Sequence, residues 1–110
     1  MRPARTLSPA AVAVLQAIAA GVRHGFDIMD STGLPSGTVY PILGRLERAA
    51  LVRSRWESPT IAQREKRPAR RYYEISGAGV RALAGAVEHY RALSAGGRGT
   101  PGLAPRPQRS

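Results

Sequence analysis

The chain has 110 residues, enough for one domain with a modest core. Its 17 lysines and arginines outnumber its 7 aspartates and glutamates, giving a formal net charge of +10 at pH 7. Such a field attracts polyanions, meaning nucleic acid or an anionic membrane surface, although arginine richness can also follow from genomic base composition. The absence of cysteine excludes disulfides and thiolate metal sites. No apolar run reaches the roughly 18 residues of a membrane span.

Two helices are predicted in the first third of the chain. Ser8 followed by Pro9 is a typical helix start, with serine as the N-cap and proline at the first helical position. Gly21 is the expected end of that helix. A short second helix is predicted from about Gly25 to Ser31, and the sequence Thr32–Pro35 is typical of a turn.

A third helix is predicted with Ser36 as its N-cap and Arg48 near its end. Its apolar residues fall on one stripe, which leaves small and basic residues on the opposite face. Pro41 lies just beyond the positions where a missing N–H costs nothing, so we expect an irregular first turn or a later start. A helix this slim can enter the major groove of duplex DNA, where Gly37 adds no bulk.

Several residues of this helix are candidate DNA contacts. The N-terminal backbone N–H groups, together with Ser36 and Thr38, can bind a phosphate. Tyr40 can donate to a phosphate or lie against a base edge, and Arg45 and Arg48 can each read guanine with two hydrogen bonds. The alternative is that both arginines belong to an ordinary solvated helix face.

A β-hairpin is predicted after the third helix. Residues alternate from Leu51 to Glu57, and Arg71–Ile75 is a second strand rich in aromatic and β-branched residues. The segment 58–70 has no periodicity and is predicted to be a long hairpin loop. Trp56 is expected to cap the core under the hairpin rather than to stack on a ligand. Of Tyr72 and Tyr73, which point to opposite faces, one should be buried.

The tip of this hairpin carries a cluster of cations that can follow a phosphate backbone or reach into a minor groove. The alternative is a solvated charge run with no partner. The candidate DNA contacts of the hairpin are Arg64, Lys66, Arg67, Arg70 and Arg71.

A last helix is predicted from an N-cap at Ser76 to about Leu93. The predicted fold is therefore mainly α with a small β-hairpin (α+β), a winged helix-turn-helix in the order H-H-H-strand-strand-H. The domain is expected to span residues 7–94, with 77–94 as its last helix. Residues 95–110 are rich in Gly, Pro and Arg, and are predicted to form a disordered tail.

The chain resembles the PadR-like family of bacterial transcriptional regulators over about Leu7–Leu93. The resemblance rests on the motifs HGFDIM, SGTVYPILGRLERAALV and RPARRYYEISGAGVRAL, in that order and spacing. It implies a winged-helix domain that dimerises through its C-terminal helices, binds operator DNA and usually represses transcription. It also implies that Ser36, Thr38, Tyr40 and Pro41 occupy the DNA-facing turn, with the basic hairpin residues on the DNA backbone.

Two departures from the family pattern matter. Ala49-Ala50 stands where the family often has an acidic residue and glycine, which is expected to alter that turn. The C-terminal helix is also short, so dimerisation is expected to be weak or assisted by DNA. The expected dimer contacts are Val80, Leu83, Val87, Tyr90 and Leu93. Some relatives bind planar aromatic effectors between subunits, but Trp56 alone does not extend that property to this chain.

The leading hypothesis is a sequence-specific DNA-binding regulator, a homodimeric repressor on a palindromic operator, located in the cytoplasm with the nucleoid. The alternative is a winged-helix module that binds RNA or a protein, although no β-sheet displaying several aromatics is predicted. An enzyme is not expected, because no catalytic constellation, cofactor motif or metal-ligand spacing is present. His24 and His89 are expected to be surface or helix-end residues.

Overall fold

The computed structural model describes residues 7–98 of the chain, with side chains described from residue 7 to residue 95. Within that range there are five helices and one antiparallel two-stranded sheet. In chain order the elements are α1 (Pro9–Ala19), α2 (Gly25–Thr32), α3 (Ser36–Arg48), β1 (Val52–Trp56), α4 (Pro59–Arg64), β2 (Arg71–Ile75) and α5 (Gly77–Arg98). This confirms the predicted fold class, with α4 as an additional short helix.

Helix α1 forms the centre of the core. The Ser8 side chain accepts a hydrogen bond from the Ala11 N–H at 3.1 Å, and Pro9 lies in the first turn, as predicted. The helix packs against α2, α3, α5 and β2. The buried core cluster consists of Ala11, Val14, Leu15, Ile18, Ile28, Val39, Ile42, Leu43, Leu46, Val52 and Tyr73.

A tight turn joins α2 to α3. Gly33 follows α2 in the left-handed conformation, with φ of +74°, and its N–H donates to the Met29 carbonyl at 2.8 Å. The Leu34 N–H donates to Thr32 Oγ1 at 3.2 Å, so the turn satisfies its own polar groups. The chain then re-enters a helix at once, which is the helix-turn-helix arrangement.

The start of α3 corrects two expectations. Pro35, not Ser36, is the N-cap, and no side-chain hydrogen bond caps the helix. The backbone N–H groups of Thr38 and Val39 both donate to the Pro35 carbonyl, at 2.9 and 3.0 Å, so the first turn is closed by backbone bonds alone. Helix α3 also continues through Pro41, because the only bond that proline removes would have ended on the exposed Gly37.

The hairpin pairs β1 with β2 in antiparallel register from Val52↔Ile75 to Trp56↔Arg71. We call residues 52–75 the wing. The prediction that 58–70 is an irregular loop is wrong, because α4 occupies Pro59–Arg64. The Ser58 side chain caps α4 by accepting from the Thr60 N–H at 3.1 Å. Six helical residues are too few to produce a recognisable hydrophobic period.

The junction between β2 and α5 is tightly packed. Ser76 Oγ accepts from the Gly79 N–H at 3.0 Å, as the predicted cap, and donates to the Ala50 carbonyl at 2.7 Å. A Cβ on Gly79 would lie 2.7 Å from Ile75 Cγ1 and would clash with the Leu51 carbonyl, so glycine is required there. Helix α5 runs to Arg98, four residues beyond the predicted domain end. The rest of the predicted tail, residues 99–110, lies outside the described residues.

Candidate nucleic-acid interface

Helix α3 turns a slim face away from the core. The buried stripe holds Val39, Ile42, Leu43 and Leu46. On the opposite side lies what we call the reading face, defined by Gly37, Pro41, Gly44 and Arg48. The reading face has no side chain bulkier than proline apart from Arg48, whose Nη1 lies back over Gly44, 3.4 Å from where a Cβ would be.

The remaining predicted residues of α3 lie around this face. Ser36 is exposed beside it, and Thr38 is half-buried. Arg45 is exposed on the flank towards the start of α1, where it and Arg48 line a depression together with Ser8. Both arginines therefore present guanidinium groups to the outside of the helix, but on one side of it.

Tyr40 lies on the other flank of α3 and is 46% exposed. Its ring lies against the backbone of Gly25 at the start of α2; a Cβ there would lie 2.7 Å from Tyr40 Cε1. Gly25 therefore allows Tyr40 to lie flat between the two helices. Sequence reasoning did not single out Gly25, because only the fold brings these two residues together.

The five basic residues predicted in the wing have different surroundings. Arg64 and Lys66 are exposed at the end of α4. Arg67 is not free: its side chain is 24% exposed and is paired with Glu57, which is 2% exposed. Arg67 Nη1 and Nη2 donate to the two Glu57 oxygens at 2.6 and 2.8 Å. The solvated charge run, which is the alternative to the predicted DNA contact, therefore does not describe Arg67.

Glu57 is the centre of a buried polar network at the base of the wing tip. Besides Arg67, its carboxylate accepts from the Tyr72 hydroxyl at 3.1 Å and from the Arg70 backbone N–H at 3.2 Å. The hydrogen bond from Arg67 outweighs burial and, with the other donors, lowers the pKa of Glu57 from 4.5 to about 2. This network holds the tip segment against the end of β1.

Arg71 links the wing to α3. Its Nε donates to Ser54 Oγ at 3.0 Å, and its Nη2 lies 3.4 Å from each Glu47 oxygen. The guanidinium also lies over the ring of Trp56, with its carbon 5.4 Å from the ring centroid. Arg71 keeps an exposed edge, with 42% of its side chain accessible.

Arg70 approaches α2 rather than α3. Its Nη1 lies 3.2 Å from His24 Nε2, which is also 3.1 Å from Asp27 Oδ2. His24 stacks at a tilt on Tyr72, with 5.5 Å between ring centroids. Tyr72 thus packs beneath the wing tip while Tyr73 is buried in the core, which confirms that the two tyrosines divide between faces.

Trp56 is not a cap on the core. It shares a strand face with the buried Val52, but it is 62% exposed. Burial falls along β1 from Val52 to Trp56, so the Trp56 end of that face lies outside the core. Together with Phe26, Tyr40, Arg70 and Arg71, Trp56 lines a groove of about 540 Å³ between α2, α3 and the wing. We call this the aromatic groove.

The predicted dimer residues of α5 divide between two environments. Leu83 packs against the core, and the Tyr90 hydroxyl donates to the Leu7 carbonyl at 2.6 Å, so both stabilise the subunit itself. Val87 is half-buried. Val80 and Leu93 are exposed apolar side chains on α5.

No helix in residues 7–98 is long and apolar enough to cross a membrane. The same residues contain no group of three or more His, Cys, Asp or Glu side chains that could hold a metal ion.

The family model described as the transcriptional regulator PadR-like family matches residues 14–85, from the middle of α1 to the middle of α5. The chain belongs to the PadR-like family. Its members are transcriptional regulators. No curated protein matches this PadR-like chain.

Solved structures share the fold. A PadR-like transcription factor from Bacteroides fragilis is 22% identical, covers 77% of this chain and 82% of its own, and has a TM-score of 0.66. A PadR family regulator from Clostridium difficile R20291 is 19% identical, with coverages of 80% and 93% and a TM-score of 0.69. Bordetella bronchiseptica BpsR is 17% identical, with coverages of 94% and 74% and a TM-score of 0.67.

Proposed function

We propose that this PadR-like regulator acts as a homodimeric repressor that places α3 of each subunit in the major groove of a palindromic operator. The main support is the reading face, where Gly37, Pro41 and Gly44 leave room for close approach to base pairs. Arg48 lies on that face and Arg45 lies beside it, and both can form paired hydrogen bonds with guanine. Two-fold symmetry then requires half-sites about 10–10.5 base pairs apart, centre to centre.

The wing supplies the sequence-independent part of the proposed contact. Arg64, Lys66, Arg70 and Arg71 expose positive charge on the wing, and the net charge of +10 attracts a polyanion. Phosphate contacts of this kind fix the register of a protein on the duplex without reading sequence. Arg67 is left out of this set because Glu57 already occupies its guanidinium.

The proposed dimer uses α5. Val80 and Leu93 are exposed apolar side chains that gain from burial against a second copy. Val87, Leu83 and Tyr90 contribute less to this contact, because they are partly buried within the subunit. Since α5 exposes only Val80 and Leu93 as large apolar side chains among the described residues, we expect a weak dimer that DNA strengthens.

A small-molecule effector and the cytoplasmic, nucleoid-associated location also belong to the proposal. For the Bordetella bronchiseptica relative, the DNA binding is regulated by 6-hydroxynicotinic acid. The location follows from the proposed partner, since operator DNA lies in the nucleoid.

A mobility-shift titration against the region upstream of its own gene tests the function. If each dimer neutralises about six to ten phosphates, affinity should fall by about 10³–10⁵ between 50 and 200 mM salt. Competition should separate operator from random duplex, and a structured RNA of equal length should compete no better than random duplex. Preferential binding to the RNA, or binding indifferent to salt and sequence, would overturn the proposal.

A further inference from the structure

The aromatic groove holds three rings with much of their surface exposed. Phe26 is 74% exposed and Trp56 is 62% exposed, and together with Tyr40 they make up half of the six large exposed apolar side chains in the described part of the chain. All three line this one groove. Scattered exposed apolar residues need no explanation, whereas a cluster marks a contact surface.

The charge of the groove is one-sided. Its lining includes Arg67, Arg70 and Arg71 but no carboxylate. Arg67 is held by Glu57, which leaves Arg70 and Arg71 as the cations with exposed surface. Arg71 lies over Trp56, so a ring face and a guanidinium meet at one wall of the groove. The groove therefore suits a ligand in which apolar groups alternate with anionic groups.

The exposure of the rings favours an extended ligand over a small enclosed one. Pockets for small molecules bury about 70–90% of the ligand surface. Phe26 and Trp56 lie at the rim with most of their surface open, which fits a chain that runs along the groove with one side in water. A DNA strand has this form, since its deoxyribose faces are apolar and its phosphates are anionic.

We propose that the aromatic groove holds the sugar–phosphate backbone of one strand, at the edge of the major groove that α3 enters. Phe26 and Trp56 pack against deoxyribose, while Arg70 and Arg71 bind the flanking phosphates. The proposal rests on the proposed DNA-binding function and adds two contact residues to it, neither of which reads base sequence. A random-sequence duplex is therefore a sufficient probe.

Trp56 provides the measurement, because it is the only tryptophan in the chain. The wild-type protein is titrated at low salt with a short random duplex and followed by tryptophan emission, acrylamide quenching and mobility shift together. We expect the emission of Trp56 to change, and its access to acrylamide to fall, at the same duplex concentrations that shift the band.

Substitutions separate packing from general charge. Trp56→Ala and Phe26→Ala should each weaken operator and random duplex by the same factor, about fivefold, which is the low end of the range for aromatic rings stacked on bases. Trp56→Phe keeps a ring and should retain most of the affinity. Ile61→Ala removes an exposed apolar side chain of α4 that does not line the groove, and should bind like wild type.

The outcomes distinguish this proposal from the function it rests on. If the duplex shifts the band while Trp56 emission and quenching stay unchanged, the groove does not hold the strand and the repressor proposal stands. If Trp56→Ala reduced binding to operator but not to random duplex, Trp56 would read sequence and the backbone assignment would be wrong. If no duplex binds, both proposals fail. If an RNA altered Trp56 emission while duplex DNA did not, the assignment of the groove to a DNA strand would also be wrong.

Discussion

Arg67 and Glu57 form a two-point ion pair, with both guanidinium Nη atoms within 2.8 Å of the carboxylate oxygens. The pair joins the end of β1 to the segment that returns to β2, ten residues later. A basic residue within the wing is therefore used to shape the wing rather than to face a partner. The same carboxylate also holds the backbone of the neighbouring Arg70, whose N–H donates to it at 3.2 Å.

Acid should weaken the fold through Glu57. Its carboxyl has a pKa of about 2 in the folded protein against 4.5 ordinarily, so the folded state favours the ionised form. The stabilisation is complete above pH 4.5 and is lost as the pH falls towards 2. Thermal unfolding between these pH values should show a steeper fall in Tm for wild type than for Glu57→Gln.

The matched control for this prediction is Glu65→Gln, which removes an exposed carboxyl from the same wing. It should follow the wild-type curve. Parallel acid curves for wild type and Glu57→Gln would show that the network contributes nothing to acid sensitivity.

Binding measurements should distinguish contacts of α3 with bases from contacts of the wing with the phosphate backbone. Arg48→Ala should reduce the discrimination between operator and random duplex by about 1–3 kcal/mol, the range for a paired base contact. Arg64→Ala should weaken both duplexes alike and reduce the salt slope by about one, since it removes one phosphate contact. Equal loss of both duplexes on Arg48→Ala would mean that α3 does not read sequence.

Gly25→Ala should strain the contact between α2 and α3. The added methyl meets the outer end of the Tyr40 ring, which is 46% exposed and can move aside, so the cost should be at most about 1 kcal/mol. Urea unfolding measures the loss. In a Tyr40→Ala background the same substitution should cost little, because the ring that it meets is gone. An equal cost in both backgrounds would show that Tyr40 is not the source of the strain.

Ala50→Gly should stabilise the protein. Ala50 has φ of +62°, a left-handed conformation that costs a residue with a Cβ about 1–2 kcal/mol. Glycine avoids that cost but loses more chain entropy on folding, which destabilises the protein by about 0.5–1 kcal/mol. The net gain in stability should therefore be about 0.5–1 kcal/mol. Ala49→Gly is the control: with φ of −84° it should only destabilise. If Ala50→Gly lowered the stability, the inference that the backbone of Ala50 is strained would be wrong.

Much of the fold followed from local signals. Ser8-Pro9 marked the start of α1, the four-residue apolar spacing marked α3, and Arg71–Ile75 was predicted with its observed bounds. These elements were predictable because caps, periodicity and β-propensity act over a few neighbouring residues. Helix α4 was missed for lack of a period, yet Ser58-Pro59 repeats the pair that begins α1 and was a usable signal.

The candidate site was only partly predictable. Composition located the basic wing, but pairing between Arg67 and Glu57 depends on the path of a non-repetitive segment. The exposure of Trp56 depends on where β1 leaves the core, which alternation along the strand does not encode. Gly25 became meaningful only when Tyr40 was brought against it. Each error arose where a contact between distant residues decided the outcome.

The hydrogen bond from the Tyr90 hydroxyl to the Leu7 carbonyl ties the far part of α5 to the entrance of α1. Because Leu83 also anchors α5 in the core, α5 is joined to the rest of the subunit at two points, and we expect the subunit to move as one rigid body. In the proposed dimer, a small rotation of the subunits about their α5 contact would move the two α3 helices by a larger distance. Such a rotation would change the distance between the two α3 helices without any rearrangement inside either subunit.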